Sequence, residues 1–144
     1  IVGALIAADA DLNARDNWGF TALITASRYA HKEIVDALIA AGADVNDSDI
    51  WGESALISAS RWDRKEIVDA LIASGADVNA IDQNGQTALI FASYIGNKEI
   101  VGALIAAGAD VNTRDKWGRT ALMNASRYGH KEIVKALISA GAKI

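Results

Sequence analysis

Thr21-Ala-Leu-Ile-Thr-Ala-Ser-Arg-Tyr-Ala-His-Lys-Glu-Ile-Val-Asp-Ala-Leu-Ile-Ala-Ala-Gly-Ala-Asp-Val-Asn-Asp-Ser-Asp-Ile-Trp-Gly52 contains one full cycle of helix, helix and turn. Thr21 is placed to cap a short helix running to Tyr29, its hydroxyl accepting from the free N–H groups of the first turn. Lys32 to Ala41 forms a second helix. Its Ile34, Val35, Leu38 and Ile39 fall at i, i+1, i+4, i+5 and make one apolar stripe, and Gly42 stops it. Asp49-Ile50-Trp51-Gly52 then fits a tight turn, with Asp first and Gly fourth. A single such unit leaves its stripe in water, and only stacking on a neighbour buries it.

The neighbours are present. Asn13, Asn46, Asn79 and Asn112 follow one another at a spacing of 33 residues, as do Gly19, Gly52, Gly85 and Gly118. The sequence divides into a partial unit at 1–14, full units at 15–47, 48–80 and 81–113, and a last unit at 114–144. The opening Ile1-Val2-Gly3-Ala4-Leu5-Ile6 reads as half of a second helix rather than a signal peptide, because Ile34-Val35-Asp36-Ala37-Leu38-Ile39 repeats it. Columns identical in all four later units are those of Asp16, Gly19, Ala22, Leu23, Ala26, Ser27, Lys32, Glu33, Ile34, Val35, Ala37, Leu38, Ile39, Gly42 and Ala43. A constant period without insertions predicts an all-α solenoid forming one continuous domain. No linker interrupts it, and no apolar run approaches the roughly 18 residues of a spanning helix.

The variable columns hold the chemistry. All nine aromatic residues and all seven arginines occupy positions where the units differ. Aromatics normally fill a core; here they decorate an aliphatic scaffold, and arginine and aromatics are the residues enriched at interface hot spots. Net charge is −4, which argues against a general nucleic-acid role. The chain contains no cysteine, so it has neither disulfide nor thiol nucleophile, and it fits a reducing compartment such as the cytoplasm.

The repeated motifs Asp16-x-x-Gly19-x-Thr21-Ala22-Leu23-Ile24, Lys32-Glu33-Ile34-Val35 and Gly42-Ala43-Asp44-Val45-Asn46 resemble the ankyrin repeat family throughout the chain. One departure stands out. The family's Thr-Pro-Leu-His is here Thr/Ser-Ala-Leu-Ile/Met, so packing by Ile24, Ile57, Ile90 and Met123 must replace a polar network. The resemblance implies a curved stack, with hairpin fingers and short helices on the concave side. It also implies a non-catalytic protein-binding module without cofactor or metal. On the fingers lie Asn17, Trp18 and Phe20; Ile50, Trp51 and Glu53; Gln83, Asn84 and Gln86; Lys116, Trp117 and Arg119. The first helices supply Thr25, Arg28 and Tyr29; Ser58, Arg61 and Trp62; Phe91, Tyr94 and Ile95; Asn124, Arg127 and Tyr128. These are close to the positions diversified in designed ankyrin libraries, so the pattern resembles an engineered binder. A natural, recently duplicated adaptor and a ligand-free scaffold are the competing readings.

Plainer roles are open for the same residues. Trp18, Trp51 and Trp117 can cap the neighbouring finger, and Arg28, Arg61 and Arg127 can pair with a nearby aspartate, at about 0–1 kcal/mol if exposed. His31 and His130 share a column three units apart, too far for one metal site, and read as solvent-exposed helix starts. Ser27, Ser60, Ser93 and Ser126 belong to the fixed framework, which argues structure over nucleophile. The Asp16, Asp49, Asp82 and Asp115 carboxylates begin turns, where they satisfy local N–H groups. Asn46-Asp47-Ser48 and Asn124-Ala125-Ser126 match a glycosylation sequon by accident of the repeat. The resemblance also marks the Asn13, Asn46, Asn79 and Asn112 column as a position hydroxylated in some members.

The ends carry their own expectation. Ile133, Val134, Leu137 and Ile138 repeat the interior stripe without a polar cap, which predicts an apolar last face and either fraying at both ends or end-to-end contact between molecules. It also predicts that truncating Leu5 or Leu137 costs less than truncating Leu71 or Leu104.

Overall fold

The computed structural model describes residues 11–144, in which eight helices alternate between short and long. The short ones are α1 (Ala22–Arg28), α3 (Ala55–Arg61), α5 (Ala88–Ile95) and α7 (Ala121–Arg127). The longer are α2 (Lys32–Ala40), α4 (Lys65–Ala73), α6 (Lys98–Ala106) and α8 (Lys131–Ser139). Each short helix packs on the next short helix and on the long helix of its own unit, and the long helices form a second layer. The result is an all-α solenoid of stacked helix-turn-helix units. The opening half-helix and Leu5 lie outside the described residues.

Helices of seven or eight residues are marginal alone, and two devices hold them. Thr21, Ser54, Thr87 and Thr120 each accept a hydrogen bond from the backbone N–H three residues on, at 3.2–3.3 Å. Around them Leu23, Leu56, Leu89, Ile24, Ile57 and Ile90 are all about 1 % exposed, which at roughly 1.5–3 kcal/mol per side chain supplies most of the stabilisation. The long helices are less well capped. Among their four N-cap residues only Asn97 makes a side-chain bond, to the Ile100 N–H.

Two long-range ladders set the register between units. Asn13, Asn46, Asn79 and Asn112 each accept, through Oδ1, the backbone N–H 31 residues ahead, at 2.7–2.8 Å. The last three also donate to the carbonyls of Gly75, Gly108 and Gly141. The fixed asparagine is thus a clamp between successive loops. On the other side, Ile50, Gln83 and Lys116 donate their backbone N–H to the carbonyls of Trp18, Trp51 and Asn84. A one-residue insertion would break both ladders at once.

Leu137 departs from expectation. It is fully buried, as Leu71 and Leu104 are, because this column is enclosed by the helices of its own unit and by the unit before. The apolar last face is also narrower than the stripe predicts: Ile133 is buried and Val134 half-buried, while Met123 and Ile138 are exposed. Met123 therefore does not fill the place of Ile24, Ile57 and Ile90, since no fifth unit lies over it among the described residues.

Candidate functional site

Each finger is built by its aspartate. In the second, Asp49 Oδ1 accepts the N–H groups of Trp51 and Glu53 at 2.9 Å, while the Asp49 N–H donates to the Glu53 carbonyl. Asp16, Asp82 and Asp115 repeat the arrangement. The hairpin expected from the sequence is accordingly a tight turn, with a single β-bridge, Ser48 to Ser54, among the described residues. Gly19 takes φ +78°, and a Cβ there would lie 2.8 Å from the Ile50 nitrogen of the next finger. Close finger stacking, as well as the turn, requires glycine.

This stacking brings the variable side chains onto one face. The Trp18 and Trp51 rings lie parallel with centroids 6.1 Å apart, and Phe20 tilts against Trp51 at 6.0 Å. Behind them runs an alternating row of rings and guanidinium groups. Arg28 lies over Phe20 and Trp62, and Arg61 over Trp62 and Phe91, at 5.2–5.8 Å. Farther along, Lys116 and Arg119 both lie 4.6 Å from Trp117. Tyr94 meets Tyr128 edge-to-face, and Arg127 stands over Tyr128. Such contacts are worth roughly 0.5–1 kcal/mol each at exposed sites, enough to hold side chains in place without hiding them.

Between fingers and short helices lies a cleft of about 650 Å³ lined by Trp18, Phe20, Arg28, Trp51, Glu53, Arg61, Asp82, Gln83, Asn84, Gln86 and Phe91. A second cleft of about 270 Å³ adjoins it over Trp62, Tyr94, Ile95 and Arg119, sharing Arg61, Gln86 and Phe91. Most of the sequence-predicted surface residues are therefore neighbours. Seven of the nine aromatics are exposed, and Phe20 and Phe91 are half-buried against the core. The buried core among the described residues is aliphatic throughout. Ile50, Gln83, Lys116 and Asn17 are exposed on the fingers, and Tyr29 and Arg127 at the helix ends.

Glu53 is the exception. Only 4 % exposed, it lies on the floor of the larger cleft and cannot meet a partner directly. Its Oε1 accepts from Ser58 Oγ at 2.5 Å and from Arg28 Nη2 at 3.5 Å, and its Oε2 from Arg61 Nη1 at 2.9 Å. The arginine partner is thus a buried glutamate of a finger rather than a nearby aspartate. Ser58 and Asn124 are likewise buried. The sequence carried a signal for this: the one finger with an acid in this column lies between the helices bearing Arg28 and Arg61. In the last unit Arg119 pairs with its own Asp115 at 3.1 Å, and Lys116 and Arg127 form no ion pair among the described residues.

His31 is exposed, but His130 is half-buried, with Nε2 3.1 Å from the Tyr94 carbonyl. Arg64 in the same column donates to the Arg28 carbonyl, and Asn97 to the Asp63 carboxylate. The column is a strut to the preceding short helix. Among the described residues no group of three or more His, Cys, Asp and Glu side chains could hold a metal, and no helix is long and apolar enough to cross a membrane.

The sequence matches the family described as ankyrin repeats (3 copies) over residues 1–82 and again over 66–144, which together span the chain. The chain belongs to the ankyrin repeat family. No curated protein matches it. Ankyrin repeats are generally non-catalytic protein-interaction modules.

Proposed function

We propose that this ankyrin repeat chain binds a partner protein through its concave face, and that it is a binder of the designed-library type. The reading is carried by one observation: seven exposed aromatic rings share the finger and short-helix face, while the described core is aliphatic. Aromatic rings and arginines gathered on one exposed face, rather than scattered singly, are the composition of a contact site. The uniform framework of fixed columns, with much of the side-chain variety on the finger and short-helix face, supports an engineered origin over a natural adaptor. Trp51 and its neighbours are pre-set by stacking and by cation–π contacts, which lowers the ordering cost of binding.

The test is selection of ligands from a displayed library of peptides and protein fragments. Recovered ligands are then measured against a Trp18→Ala/Trp51→Ala/Trp117→Ala variant whose helicity is checked by circular dichroism. Loss of binding with retained fold is the expected result. A library that yields nothing above that variant's background indicates a ligand-free scaffold. A second, weaker contact between chain ends is supported by the exposure of Met123 and Ile138, and concentration-dependent light scattering reads it separately.

A further inference from the structure

We infer, resting on the concave-face reading above, that the partner is an extended acidic protein segment in which carboxylate side chains alternate with apolar ones. Cations outnumber solvent-facing anions on this face. Of the candidate contact residues, the charged ones are Arg28, Arg61, Lys116, Arg119, Arg127 and Glu53. Glu53 is buried, whereas all five cations reach solvent, Arg28 least; the finger-base acids add exposed Asp16, half-buried Asp82, which lines the larger cleft, and Asp115, which pairs with Arg119. The chain as a whole carries −4. Its acidic excess lies elsewhere, on exposed Asp36 and Asp69 of the long helices and Asp44, Asp77 and Asp110 of the loops. A positive face on a negative molecule orients and selects an acidic partner.

Spacing narrows the partner further. The cations are interleaved with rings in the order Phe20, Arg28, Trp62, Arg61, Phe91, and then Trp117 between Lys116 and Arg119. A ligand that satisfies this row presents carboxylates one at a time, with apolar groups between them to cover the aromatic faces. A guanidinium held beside a ring keeps N–H donors for a carboxylate. Arg28 and Arg61 share Glu53, and Asp82 lines the same cleft, so the cations free of an internal partner among the described residues are Lys116 and Arg127 of the last unit. A single-stranded nucleic acid can also stack its bases on such rings, but a polyanion is opposed more strongly by the net charge of −4 than is a short segment carrying few carboxylates.

Random linear peptides displayed against the immobilised full chain give the test. Enrichment of peptides rich in Asp and Glu with interspersed apolar residues is the expected result. Bound as a fluorescein conjugate, the best peptide should weaken about tenfold with rising salt. It should weaken about as much on Arg61→Gln or on Lys116→Gln/Arg127→Gln, the latter touching no internal ion pair of the described residues. Enriched peptides that are neutral or basic overturn the acidic-partner inference, as does indifference to salt and to both variants. If such peptides still lose binding on the triple tryptophan variant, the concave-face reading survives. Binding that persists on that variant removes both. Displacement of the peptide by single-stranded oligothymidylate at lower concentration than by unlabelled peptide overturns the inference in favour of nucleic acid.

Discussion

Replacing Glu53 by alanine removes the one anion on which three neighbours converge. Ser58 Oγ is fully buried and donates to Glu53, so the variant leaves a hydroxyl without its acceptor, at about 1–3 kcal/mol. The Arg61 side chain is 45 % exposed and can turn to water, so its lost pairing is worth only about 0–1 kcal/mol. Arg28 is more enclosed, and its Nε already lacks an acceptor, adding about 1 kcal/mol. Together these predict a loss of about 2–5 kcal/mol. Asp69→Ala, which removes the exposed partner of Lys65, should cost about 0–1 kcal/mol. Urea denaturation followed by circular dichroism measures both. The sign of a further change is also set: Ser58→Ala added to Glu53→Ala should recover stability, because it removes the orphaned hydroxyl. A Glu53→Ala loss no larger than that of Asp69→Ala, or a further loss in the double variant, would refute the account of the cleft floor.

Other substitutions separate framework from surface. Ser60 Oγ is buried with no hydrogen-bond partner, so Ser60→Ala should stabilise by about 1 kcal/mol, whereas Ser126→Ala, at an exposed copy of the position, should gain at most about 0.5 kcal/mol; denaturation midpoints compare them. Ala30 holds φ +63° where Gly96 and Gly129 stand in other units, so Ala30→Gly should stabilise by about 1 kcal/mol. Gly96→Ala should lose more than that, since its Cβ would also meet the His130 ring; thermal melts check the pair. Asn79→Ala removes the acceptor of the Asp110 N–H and should cost about 1 kcal/mol, with faster hydrogen exchange at the Asp110 amide.

The sequence held the architecture because each unit repeats the same local instructions. The Thr21 cap, the Ile34-Val35-Leu38-Ile39 stripe and the Asp49–Gly52 turn each act within a few residues, and the fixed spacing of 33 multiplies them. What escaped the sequence depends on contacts between units. Glu53 reads as a surface residue by type and position, and its burial follows from Ser58 and Arg61 of its own unit together with Arg28 of the preceding one. His130 looks exposed until the Tyr94 carbonyl is placed beside it. Met123 shares a column with Ile24 but is not covered by another unit among the described residues, so the same position is buried in one copy and exposed in another. The asparagine column was visible as fixed, yet its partner 31 residues ahead follows only from the stacked loops.

The central claim is that the aromatic face is where a partner binds, and the four tryptophans report on it directly. Trp18, Trp51, Trp62 and Trp117 all lie on that face and are 40–57 % exposed, so their indole N–H signals in a ¹⁵N–¹H correlation spectrum watch it without interference from the core. Titration with a ligand recovered from the displayed library should shift or broaden these signals and leave the backbone amides of Asp36, Asp69 and Gly102 on the long helices in place. Unmoved indole signals, with shifts confined to Asp36, Asp69 and Gly102, would contradict the account.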